Sequence, residues 1–92
     1  MALDILSEPS KAGDDDGIVL QMKKAIRGAI PDGRIEVRSI SAGHFEIDVV
    51  SPVFEGKSRV KQQQLVYGAI ASLMAGDSAP VHAIDRLTTR SE

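Results

Sequence analysis

Apolar and polar residues alternate in two short runs near the middle of this chain. Ile35 and Val37 alternate with Arg34, Glu36 and Arg38, and Phe45, Ile47 and Val49 alternate with His44, Glu46 and Asp48. A period of two marks a strand with one face buried, so strands are predicted over 34–39 and 44–50. Ser41, Ala42 and Gly43 form a turn between them, and the two strands make an antiparallel hairpin. Upstream, Val19, Met22, Ile26 and Ile30 follow helical spacing, with Lys23, Lys24 and Arg27 largely off that stripe. This predicts a helix over 17–30. Asp14 to Asp16 suit its N-cap and dipole, and Pro31, Asp32 and Gly33 end it.

Downstream, residues 51–54 make one helical turn, with Pro52 tolerated at its first position. Gly56 breaks the turn. Ser58 is an N-cap for a long helix over 59–75. Val60, Tyr67, Ile70 and Met74 define its apolar stripe, which Val66, Ala69 and Leu73 widen. Gly76 is the stop. Gly68 lies in mid-helix, at a cost of up to ~1 kcal/mol relative to alanine; close approach of another backbone would account for it. A third strand is predicted over 81–89. Its alternation is imperfect: Val81, Ala83, Asp85 and Leu87 fall on one face, His82 and Ile84 on the other. The order helix, strand, strand, short helix, long helix, strand is an α+β arrangement, αββααβ. The second strand, long helix and third strand make a crossover joining parallel strands. Parallel strands begin at the same end of a sheet. His44 and His82, the two histidines of the chain, are therefore expected at one end, beside the turn at Ser41.

Ninety-two residues correspond to one domain. Residues 1–16 contain Pro9, Gly13 and Asp14 to Asp16 and show little periodicity, which predicts a mobile acidic tail ahead of a domain over 17–92. The net charge is −2; the tail carries five negative charges and one positive, which leaves +2 on the domain. With no cysteine, thiol catalysis and disulfides are excluded. That usage suits a reducing cytosol, and a cytoplasmic location is expected. No apolar run approaches the ~20 residues of a membrane span.

His82 and His44 are the candidate metal ligands, since imidazole binds borderline metals and titrates near neutrality. Two histidines make an incomplete site, so a metal here needs ligands from across an interface. Lys57, Ser58, Arg59, Lys61 and Gln62 form a basic helix start, a surface for an anion, an acidic partner or nucleic acid. Glu46 and Asp48 are paired carboxylates explained by alternation alone. No P-loop or G-x-G-x-x-G is present, and no enzymatic activity is expected.

The segment Phe54 to Val60, F-E-G-K-S-R-V, with Val66 and Tyr67 after it, resembles the BolA family; Ser58 to Gly68 is similar to its IbaG/YrbA branch. The resemblance implies a three-stranded mixed sheet with helices on one face, similar to a KH type II arrangement. It also implies an adaptor that binds a monothiol glutaredoxin and shares a [2Fe–2S] cluster with it, in iron–sulfur trafficking or iron and stress regulation. The partner then supplies the glutathione, and the isolated chain is a monomer or weak homodimer without cofactor. His82, in P-V-H-A, matches the histidine ligand of the family. The family's second ligand aligns near Ser41, a poor ligand. Either His44 substitutes, or the cluster is held more weakly or in another arrangement. The alternative implied is a transcriptional regulator that binds DNA through residues 57–64. Gln62, Gln63 and Gln64 stand where relatives carry Arg-His-Arg, which removes phosphate-binding charge.

Overall fold

The computed structural model describes residues 10–91. Its elements are α1 (Ser10–Ala29), β1 (Arg34–Ser41), β2 (His44–Val50), a 3-10 turn (Pro52–Phe54), α2 (Arg59–Met74) and β3 (Ala83–Arg90). β2 is the central strand of a three-stranded sheet. It pairs antiparallel with β1 and parallel with β3, as the hairpin and the crossover predict. Both helices pack on one face of the sheet, where Met22 and Ile26 of α1, Ile30 just after it, and Val66 and Ile70 of α2 meet Ile35, Val37, Phe45, Ile47 and Val49. The other face is open and carries the polar members of the alternation.

The third strand starts at Ala83 rather than 81, and two further boundaries differ from the sequence reading in ways that have a physical reason; the remaining ends shift by at most one residue. α1 begins at Ser10, so Asp14 to Asp16 lie inside the helix and do not cap it. Lys11 and Ala12 are good helix formers, which favours the earlier start. Residues 1–9 of the expected tail lie outside the described residues. β1 runs to Ser41 because the register slips between Ser39 and Ser41, with Ile40 as the extra residue.

The inward stripe of α2 also differs. Val66 and Ile70 are buried, but Val60 is 63% exposed and Tyr67 39%. The inward positions of the first two turns are occupied by Gln62 and Gln63, which apolar spacing cannot detect. Gln62 donates through Nε2 to the carbonyls of Phe54 (3.2 Å) and Lys57 (3.0 Å), and its Oε1 accepts from Thr89 Oγ1 (2.7 Å). Gln63 Nε2 donates to the Leu87 carbonyl at 3.4 Å. The two amides join the entry turn, the helix and β3. Gly68 is exposed, and a Cβ there would have nothing within 4 Å. No backbone approaches it, contrary to the explanation offered for it from the sequence.

Urea denaturation will separate these roles. Gln62→Ala is expected to cost about 1 kcal/mol, because it removes three hydrogen bonds while the Phe54 carbonyl keeps the N–H of Lys57 and the Lys57 carbonyl stays open to water. Gln64→Ala, at an exposed position, is expected to stay within about 0.5 kcal/mol of wild type. Gly68→Ala is expected to stabilise the chain by about 0.5–1 kcal/mol.

Candidate functional site

The hairpin turn and the start of β3 meet at one residue. Gly43 sits at φ +79°, a left-handed conformation that glycine adopts without strain. Its carbonyl accepts from the backbone N–H of both His82 (2.8 Å) and Ala83 (3.0 Å). The imidazole of His82 packs directly on Gly43: a Cβ there would fall 2.7 Å from its Nδ1 and 2.8 Å from its Cγ. His44 opens β2 and pairs in register with Ala83, and Ser41 is opposite His44 on the other side. Topology therefore brings both histidines and Ser41 to one end of the sheet, as expected. His82 is exposed and His44 is half-exposed.

Both neighbours of β2 are bulged at this end. Ile40 is the extra residue of β1, and Asp85 is the extra residue of β3, between the pairs Phe45↔Ile84 and Glu46↔Arg86. The second bulge explains the broken alternation of β3, since it returns Leu87 to the face of Ile84, where both pack against the core. A bulge also re-aims a side chain. The Asp85 carboxylate stands 3.0 Å from His44 Nδ1. In the tautomer with the proton on Nδ1, His44 donates to Asp85 and presents the Nε2 lone pair outward. A carboxylate behind an imidazole in this way fixes ring orientation and raises ligand basicity. Asp85 was not singled out from the sequence; its mismatch with the alternation was the available signal. Among the described residues, no three or more histidine, aspartate or glutamate side chains converge as a metal site. This end presents two imidazoles, one of them paired with a carboxylate.

The remaining candidates are arranged differently. Ser58 caps α2, accepting from Lys61 N at 3.2 Å, while Lys57, Arg59 and Lys61 are exposed. The hydrogen-bonding groups of Gln62 are engaged within the chain. On the open face, Arg38 holds Asp48 at 2.8 Å and Glu46 at 3.4 Å. The hydroxyl of Thr88, and then Arg38, hold the Asp48 carboxyl below its ordinary range. Two carboxylates clamped by one guanidinium are a structural device, and Asp48 is held in its charged form.

Gly43→Ala and Gly56→Ala make a matched test of the His82 seat. Both glycines have positive φ, but only Gly43 lies against a side chain; Gly56 has open space. Each substitution is expected to cost about 1–3 kcal/mol in backbone strain. Only Gly43→Ala is expected to move the imidazole resonances of His82 in a proton–carbon NMR spectrum.

Comparison with known proteins places this geometry. Residues 27–92 match the family model described as BolA-like protein. A protein of Acinetobacter guillouiae, described as an uncharacterized protein in the rpoN-murA intergenic region, is 38% identical over 73 residues, which cover 78% of this chain and 84% of the relative. Acid stress protein IbaG of Escherichia coli K12 is 42% identical over 41 residues, 45% of this chain and 46% of its own length. Among solved structures, a BolA protein homologue from Coxiella burnetii superposes with a TM-score of 0.63 at 30% identity, covering 78% of this chain and 87% of that one. The family match covers most of the chain and includes both histidines and the whole sheet, and this chain belongs to the BolA-like family.

Proposed function

We propose that this chain is a non-enzymatic adaptor that docks a monothiol glutaredoxin and contributes His82 to a [2Fe–2S] cluster shared between the two proteins. The observation that carries this reading is the seat of His82: an exposed imidazole held against Gly43 at the start of an inner parallel pairing. Its backbone N–H is fixed by the Gly43 carbonyl, so the residue just ahead of β3 is tethered to the hairpin turn. His44, backed by Asp85, is the second imidazole at the same end.

The residues fit the cluster as a half-site. They offer two imidazoles and no thiolate, so cysteine and glutathione sulfurs come from the partner. When bound, such a cluster supplies electron-transfer and iron-storage chemistry, and histidine in place of thiolate raises its reduction potential. This chain's own residues orient and present the ligands. Ile40, bulged outward and 51% exposed beside Ser41, offers an apolar contact at the rim of the same surface. The similarity to a protein named for acid stress supports a role in stress regulation. The absence of cysteine suits a reducing cytoplasm, where the adaptor would work in iron–sulfur trafficking.

The test is co-purification of the chain with a monothiol glutaredoxin and glutathione, followed by visible absorption and circular dichroism. The wild-type complex is expected to give a spectrum distinct from the glutaredoxin homodimer. His82→Ala is expected to abolish that difference, and His44→Ala to weaken it. Identical spectra for wild type and His82→Ala would remove His82 from the ligand set.

A further inference from the structure

The end of the sheet opposite the histidines carries a separate concentration of charge. Arg34 opens β1 and Arg90 closes β3, and in register both flank Val50, the last residue of β2. Arg86 precedes Arg90 on β3, and Arg59 opens α2. These four arginines line a cavity of about 680 Å³, together with Glu36 and Asp48. The distance along β2 from His44 to Val50 is roughly 20 Å at ~3.3 Å per residue, so the Arg34 and Arg90 end of the cavity lies away from the histidines, with Arg86, in register with Glu46, nearer to them.

The balance of charge within the cavity favours an anion. Both carboxylates are already engaged by Arg38, with Asp48 at 2.8 Å and Glu36 at 3.8 Å, and Asp48 also accepts from Thr88. Arg86 acts on Asp48 through its field without bonding to it. Among the described residues, none of Arg34, Arg59, Arg86 and Arg90 makes an ion pair, and all four are exposed. Four guanidinium groups around one concavity repel one another unless an anion sits among them. Arginine is also the residue whose planar fork matches phosphate with two parallel hydrogen bonds.

The kind of anion follows from the walls. The cavity falls within the ~300–1,000 Å³ of small-molecule sites. Its lining contains no aromatic ring, so bases of a single strand find only guanidinium planes to stack on there. The chain as a whole is at −2, which opposes a long polyanion. We propose that this cavity binds a small phosphorylated metabolite, with its phosphate held by Arg34, Arg59 and Arg90.

The test is a nitrogen-15 NMR titration of the full chain with pyrophosphate, with ADP, and with a short single-stranded DNA at equal phosphate concentration. Pyrophosphate and ADP are expected to shift the amides of Arg34, Arg59, Arg86 and Arg90 saturably and to leave His44 and His82 unmoved. Arg34→Gln/Arg90→Gln is expected to weaken binding at least about ten-fold, ~1.4 kcal/mol, with an unchanged melting curve because both side chains are exposed. Lys57→Gln/Lys61→Gln is expected to stay within about two-fold of wild type, since neither lysine lines the cavity. The proposal is overturned by the absence of saturable shifts, by equal losses in the arginine and lysine variants, or by tighter binding of the DNA than of either small phosphate.

Discussion

The carbonyl of Gly43 accepts two backbone donors from the far end of the chain, and the parallel half of the sheet begins at that junction. Its dependence on local conformation is direct. The carbonyl can face β3 because Gly43 adopts a left-handed backbone, and the ring of His82 can lie against it because Gly43 has no side chain. One residue type at one position thus closes the hairpin, sets where β3 starts and seats the exposed imidazole. Hydrogen bonds of this kind contribute only ~0.5–1.5 kcal/mol each in net stability. Their larger effect here is geometric, since they fix which residues of two distant segments face the same solvent.

The helix that makes the crossover is held by different means. α2 buries only Val66 and Ile70 fully, a thin apolar contribution for sixteen residues. Its first turns are joined to β3 and the entry turn by the amides of Gln62 and Gln63 instead. Neutral amides bond partly buried carbonyls without the desolvation cost of a charge. The triple glutamine, which from sequence marks a loss of phosphate-binding charge, is in two of its three positions an internal clamp. The positive charge of the domain is grouped elsewhere, by the register of the strands.

The architecture was legible in the sequence because period-two alternation in β1 and β2, turn residues and the capping Ser58 all point the same way. The meeting of His44 and His82 followed from topology alone, since a crossover between parallel strands leaves no other end for them. The partnership of His44 with Asp85 was not legible, because it depends on one extra residue in β3. The broken alternation around Asp85 recorded that residue but did not say how it would be accommodated. The outward position of Val60 and Tyr67 was hidden for a related reason: apolar spacing cannot see an inward face made of hydrogen-bonded amides. The arginine cavity was invisible because its members are far apart in sequence, at 34, 59, 86 and 90, and only strand register gathers them.

The two bulges have a consequence beyond the aim of Asp85. β1 and β3 are the outer strands of this small sheet, and each carries its irregularity toward the same end. An outer strand with a regular ladder is a template on which another chain can add its own strand. Ile40 and Asp85 interrupt both templates, and Arg86 and Arg90 place charge along the rest of β3. The sheet is thereby discouraged from growing sideways into fibres or chance dimers.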